Sequence, residues 1–313
     1  MITPKAVTRR HFIRSSVAST AGLLLADRLA AATTGGFKLN YLVASSVFGS
    51  LPLKEILPEV RRAGSEYIDL WPRRHGTQRE EAEQLGSIAL AELLAAHGVK
   101  IACTSRYDLG PLNLMDEFRF LQGVNARLVV TAARGPTGLK GEELKSAIRE
   151  LVRSMEPTLE AAGQAGITVA IENHSNSLID SPDSVRWLAE FAQNRPLGIA
   201  FAPYHLPQEP TLLAELIRHS ADRLSLFYAW QHGNGSSKPM PREQEHLQMP
   251  GRGPLDFIPL LAALRDIRFA GWTEVFMHPT PRGIPIMDTA PEVTTELNRG
   301  RAYLDAGIAS LPS

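Results

Sequence analysis

From Phe37 onward the chain alternates short apolar runs with longer amphipathic ones. Eight of the short runs have strand length and are rich in β-branched and aromatic residues: Lys38–Ala44, Tyr67–Trp71, Lys100–Thr104, Arg127–Thr131, Thr168–Glu172, Gly198–Phe201, Leu224–Trp230 and Gly271–Phe276. Between them, apolar residues recur at helical spacing over Leu53–Ala63, Glu80–Ala96, Gly141–Ala165, Ser184–Gln193, Thr211–Ser220 and Leu255–Leu264. Gly64, Gly98 and Gly166 follow the first three of these stretches, and glycine is the residue that most readily takes the left-handed turn which stops a helix. Asp183, preceded by Pro182, reads as the start of the fourth.

Strands that alternate with helices pair in parallel through right-handed crossovers. Eight such units within residues 37–310 predict an α/β fold of one domain, a closed (β/α)₈ TIM barrel, an architecture that usually takes about 250 residues. An open, doubly wound sheet is the competing arrangement, but no strand is followed by the Gly-x-Gly-x-x-Gly turn that such sheets use for dinucleotides. One irregular insertion, Gly233–Pro254, follows the seventh run. A long loop at that end of a barrel is expected to form a lid or wall over a substrate.

Composition narrows the partners. The chain has 313 residues, 44% hydrophobic and 21% charged, with 33 basic and 33 acidic side chains, so no basic surface argues for nucleic acid. A lone cysteine, Cys103, excludes an internal disulfide framework. Residues 1–32 read as a twin-arginine export signal: Arg9-Arg10, an apolar run from Val17 to Ala26, then Ala30-Ala31-Ala32 as a small-residue cleavage site. The expectation is export, a periplasmic location, and passage through the twin-arginine machinery. The run is too short for a permanent membrane span. Removing the segment takes away five basic residues and one acidic residue, and so leaves a net charge of −4.

Active-site chemistry in such barrels collects at the carboxyl ends of the strands. Here those ends read Asp69-Leu-Trp71-Pro-Arg-Arg-His75, Thr104-Ser-Arg106-Tyr107, Glu172-Asn173-His174, Ala202-Pro-Tyr204-His205, Trp230-Gln231-His232 and Glu274-Val-Phe276-Met-His278. Six of the nine histidines, His75, His174, His205, His232, His246 and His278, fall on these ends or in the insertion. Imidazoles converging with carboxylates are the donor set of a divalent cation such as manganese, cobalt, magnesium or zinc.

These motifs, from about Phe37 to the end, resemble the xylose-isomerase-like TIM barrels, in the branch of sugar phosphate isomerases and epimerases that includes ketose 3-epimerases. The resemblance implies a metal held by Glu, Asp, His and Glu on strands five to eight. It also implies an Asp-x-x-His motif on strand six and two glutamates that exchange a proton with a sugar carbon. Glu172 and Glu274 match the two glutamates, and His205 matches the motif histidine. Ala202 stands where the aspartate belongs, and strand seven offers Gln231 or His232. The expected ligands are therefore Glu172, His205, Gln231 and Glu274, with Glu172 and Glu274 also catalytic. Trp71, His75, Arg106, His174, Trp230, His232 and His278 are expected to bind a small carbohydrate. The activity implied is metal-dependent sugar isomerisation or epimerisation. The alternatives are β-elimination from a 3-keto-glycoside, or a carbohydrate-binding barrel without catalysis. A homo-oligomer is left open.

Overall fold

Runs that are apolar throughout belong to strands covered on both faces, and the eight runs build such a sheet. The computed structural model describes residues 36–235 and 238–312. The expected signal at 1–32 lies outside the described residues. The strands are β1 (Asn40–Tyr41, resuming after Leu42 as Val43–Ala44), β2 (Tyr67–Leu70), β3 (Lys100–Ser105), β4 (Leu128–Ala132), β5 (Thr168–Glu172), β6 (Leu197–Phe201), β7 (Leu224–Ala229) and β8 (Trp272–Val275). Counted as separate pieces, the two halves of β1 make a nine-stranded parallel sheet. Its ends meet within β1: Asn40 pairs with Trp272 of β8, while Val43 pairs with Ile68 of β2. Between the halves, the Leu42 N–H donates to the Thr273 carbonyl at 2.9 Å. One strand thus serves both edges, and the barrel has no free edge to protect.

The helices are α1 (Leu53–Arg62), α2 (Gln78–His97), α3 (Met115–Gly123), α4 (Gly141–Ser154), α5 (Glu156–Ala165), α6 (Pro182–Phe191), α7 (Pro210–Ser220), α8 (Arg242–Glu245), α9 (Ile258–Asp266) and α10 (Ala290–Ala309). Gly64, Gly98 and Gly166 take positive φ after α1, α2 and α5, as their positions in the sequence predict. Three expectations are corrected. The stretch Gly141–Ala165 is two helices, because Pro157 lacks an N–H and crowds the carbonyl four residues back. The N-cap of α6 is Ser181 rather than Asp183, joined to Ser184 in a reciprocal capping box. Helices α3 and α10 form where no helix was expected.

Helix α10 is docked on α1: the Thr294 hydroxyl donates to the Glu59 carboxylate at 2.6 Å, and Asn298 Nδ2 donates to the Arg62 carbonyl at 3.0 Å. Residues 39–313 gather into one compact unit. No described helix is long and apolar enough to cross a membrane.

On the strands, Ile68, Val129, Val130, Val169, Ile171, Ile199 and Leu226 are buried at 0% exposure, on both faces of the sheet. Burial of such side chains supplies about 1.5–3 kcal/mol each. The buried polar side chains of the strands sit mostly in their carboxyl-terminal halves: Asp69, Thr104, Ser105, Thr131, Glu172 and Glu274, with Thr273 one residue before Glu274. The fold therefore concentrates its polar interior at one end, and the site is built there.

Candidate active site

Register decides what meets at that end. Glu172, the last residue of β5, pairs across to Ala132 of β4 and Ala200 of β6; Glu274 of β8 pairs with Tyr228 of β7. A cavity of about 60 Å³ opens over β5 and β6, lined by Trp71, His75, Tyr107, Glu172, His174, His205, Trp230, His278 and Arg282. That is the bulk share of about two waters, so it admits the reacting end of a substrate and leaves the remainder at the rim. A larger groove of about 410 Å³ lies between Arg242–His246 and Glu292–Glu296, away from the strand ends. Its charges are already paired, Arg242 with Asp288 at 2.8 Å and Arg252 with Glu296 at 2.6 Å.

Four of the six expected histidines converge on the cavity. The rings of His174 and His205 lie 4.0 Å apart, and those of His75 and His278 stack at 4.5 Å. Trp71 and Trp230 form the walls: Trp230 stacks on Tyr204 at 3.9 Å, and Trp71 packs against Tyr107 and Phe276. His205 Nε2 stands 3.7 Å from Glu172 Oε1 and has no hydrogen-bond partner. Its Nδ1 lies 3.1 Å from the Ser175 hydroxyl. His174 Nδ1 lies 2.6 Å from the Ser175 carbonyl, which only accepts, so that nitrogen carries the proton.

The insertion after β7 braces two lining residues without itself lining the cavity. Gln248 Oε1 accepts from the Trp230 indole N–H at 2.8 Å and from the His278 N–H at 3.3 Å, while its Nε2 donates to the His278 carbonyl at 3.0 Å.

Other expected residues lie elsewhere. Arg106 turns away into ion pairs with Asp108, at 2.8 Å, and with Glu117, which also takes Arg79 at 2.9 Å. His232 has positive φ and its N–H donates to Gln208 Oε1; it does not line the cavity. His246 Nε2 bonds the Ile286 carbonyl at 3.0 Å. Gln231 is fully spent on the backbone: its Nε2 donates to the Met249 carbonyl at 2.9 Å, and its Oε1 accepts from the Leu255 N–H at 2.7 Å. Residue Gly253 is required beside it, since an added Cβ would lie 2.8 Å from Gln231 Oε1 and 2.3 Å from the Leu247 carbonyl.

Glu274 is buried and does not line the cavity; it faces Asp69. Each carboxyl perturbs the other, although no hydrogen bond of good geometry joins them and both Glu274 oxygens lack a partner. Burial raises Asp69 to about 7, against the pull of the Ser105 hydroxyl, which donates to Asp69 Oδ2 at 2.7 Å. Burial first, and then the Asp69 charge, holds Glu274 well above the usual carboxylate range.

Burial also raises Glu172, opposed by nearby His174 and by the Tyr107 hydroxyl. The Tyr107 and Tyr228 hydroxyls meet at 3.3 Å, and burial pushes both well above the ordinary tyrosine value. His75 is lowered to about 3 by burial, with Arg282 and Arg74 adding to the effect. Burial likewise lowers His205 and His278. The mouth thus holds one carboxyl group among imidazoles, three of which burial pushes towards the neutral form.

The four-ligand set expected from the sequence does not fit this arrangement. Among the described residues, no three His, Cys, Asp or Glu side chains gather to hold a metal ion. Ala202 brings a methyl group, and its backbone is pinned: Asn173 Nδ2 donates to the Ala202 carbonyl at 2.8 Å, and Asn173 Oδ1 accepts its N–H at 2.9 Å. Asp69, Tyr107, Ser175, Gln248 and Arg282 were not among the expected site residues. Asp69 and Tyr107 stand on strand ends and were legible there; nothing in the local sequence marks Ser175, Gln248 or Arg282.

No curated protein sequence matches the chain. Among solved structures, the IOLI protein, whose structure carries a zinc atom, is similar with a TM-score of 0.66 at 14% identity, over 87% of this chain and 100% of that one. A D-psicose 3-epimerase from Clostridium cellulolyticum H10, with D-tagatose, gives 0.63 at 13% identity over 86% and 99%. A xylose isomerase domain protein from Alicyclobacillus acidocaldarius gives 0.62 at 17% identity over 87% and 99%. At these identities the likeness is one of fold. The family model described as xylose isomerase-like TIM barrel matches residues 57–297. With that match across most of the barrel, the chain belongs to the xylose isomerase-like TIM barrel family.

Proposed function

We propose that this barrel isomerises or epimerises a small carbohydrate by moving a proton on a carbon next to a carbonyl, with Glu172 as the base. The observation that carries the reading is the Glu172 carboxyl, which is buried yet lines the cavity, with the partnerless Nε2 of His205 at 3.7 Å. A base raised by burial abstracts protons better than an ordinary carboxylate. Trp71, Trp230 and Tyr107 supply apolar walls for a sugar, and His75, His174 and His278 supply donors and acceptors for its hydroxyls. The twin-arginine pattern at 1–32 supports an exported enzyme and a substrate without phosphate. Similarity to sugar epimerases supports the carbohydrate class. Metal dependence, expected from the resemblance, is left out of the reaction because the donors do not gather.

The test is solvent exchange. Ketoses and keto-sugars of three to six carbons are incubated with the protein in heavy water and followed by NMR. Deuterium should enter at the carbon beside the carbonyl with wild type, and about 10³-fold more slowly with E172Q. Exchange equal in the two proteins would remove Glu172 from the mechanism.

A further inference from the structure

We infer that this site works without a metal ion, and that the Nε2 proton of His205 does the polarising that a cation performs in metal-dependent barrels. The inference rests on Glu172 being the base. Its warrant is donor placement. Of the four positions where the resemblance puts ligands on β5 to β8, the second carries the methyl of Ala202. On the third, the Gln231 amide is used at both ends by Met249 and Leu255. On the fourth, Glu274 is buried against Asp69 and does not line the cavity. Of that set only Glu172 and His205 remain at the cavity; His75, His174 and His278 also line it, but among the described residues no three His, Cys, Asp or Glu side chains are placed to hold one ion.

His205 is prepared for the other role. It is 7% exposed, and its Nε2 is buried without a partner. The Ser175 hydroxyl lies 3.1 Å from Nδ1 and can donate there, which puts the ring proton on Nε2, the nitrogen that faces the Glu172 carboxyl at 3.7 Å. Ser175 is itself held, since its carbonyl accepts from His174 Nδ1.

The step then balances with these groups alone. A substrate carbonyl oxygen accepts a hydrogen bond from His205 Nε2–H. A Glu172 oxygen takes the proton from the adjacent carbon, the C–H pair becomes the C=C bond of an enolate, and the carbonyl π pair moves onto the oxygen. No proton leaves His205. The proton returns from Glu172, on the face from which it came, to the former carbonyl carbon, while the adjacent hydroxyl passes its own proton to the enolate oxygen and becomes the new carbonyl; return to the original carbon regenerates the substrate. Donation into a developing oxyanion strengthens as its charge grows, which is why one well-placed N–H is effective there.

The experiment reads metal and exchange separately. The full chain is analysed for metal as purified, stripped with chelator, and titrated with cobalt(II) by visible absorption and calorimetry, alongside E172Q. The expected result is no stoichiometric metal as purified, no cobalt ion bound below about 1 mM that depends on Glu172, and exchange rates unchanged by chelator. Cobalt binding that persists in E172Q lies outside this site and leaves the inference standing. One cobalt ion bound at micromolar concentration in wild type and released by E172Q would overturn it. Because the titration needs no substrate, failure to find any exchanging sugar counts against the proposed function and not against this inference.

Discussion

Glu172 and Glu274 are both buried glutamates near strand ends, and their neighbours give them different tasks. Glu172 meets a cavity, an imidazole and a tyrosine; Glu274 meets Asp69 in a sealed interior. The sequence makes Glu172 legible because Asn173 and His174 follow it at the catalytic end of an apolar run. It does not reveal that Glu274 has a carboxylate opposite, because the Asp69–Glu274 meeting depends on closure of the barrel through β1. Arg106 is misread for a related reason. A strand-end arginine has a long reach, and Glu117, on a helix the pattern did not show, takes it away from the mouth.

The Asp69 carboxyl carries a pH prediction. Its value rises from 3.8 to about 7 on folding, so between those limits the unfolded chain releases a proton that the folded chain keeps. The stability it contributes is fully present below 3.8 and is lost as pH rises towards 7. D69N stays neutral and still accepts from Ser105, so its melting temperature should fall less than that of wild type across this window. Parallel melting curves in pH for the two proteins would show that Asp69 does not hold its proton.

At the level of elements, the strands were legible and the helices only in part. Strand boundaries agree to within a residue or two, because buried parallel strands are apolar on both faces and turn residues close them. Helix α10 was missed although Thr289-Ala-Pro-Glu292 spells a capping box, which the structure forms. Its apolar face is narrow, because it fastens to α1 largely by polar contacts. The insertion 233–254 supplies no lining residue of the cavity, against the expectation of a lid or wall; it braces Trp230 and His278 from behind through Gln248. Q248A removes three buried hydrogen bonds and leaves the Trp230 indole N–H without an acceptor. Such a change costs about 2–4 kcal/mol. Urea unfolding followed by tryptophan fluorescence should show a loss of that size. A loss under about 0.5 kcal/mol would mean that Trp230 and His278 are held without Gln248.

At the level of the molecule, a barrel supports chemistry through a few side chains at its strand ends, and at two positions where the resemblance implies ligands this chain carries the methyl of Ala202 and the backbone-bonded amide of Gln231. Family membership fixes the architecture and the end at which the site lies. It does not fix the reaction, because the expected donor set is broken at Ala202 and at Gln231. The resulting site has one accessible carboxyl group, four imidazoles around it and a second glutamate buried out of reach. That division of labour separates this account from a two-glutamate mechanism. The decisive measurement is the rate of solvent deuterium exchange into an active sugar by E172Q and E274Q, each against wild type. The account predicts a loss of about 10³-fold for E172Q and less than about tenfold for E274Q. Equal, large losses in both variants would contradict it, since both glutamates would then be handling the proton.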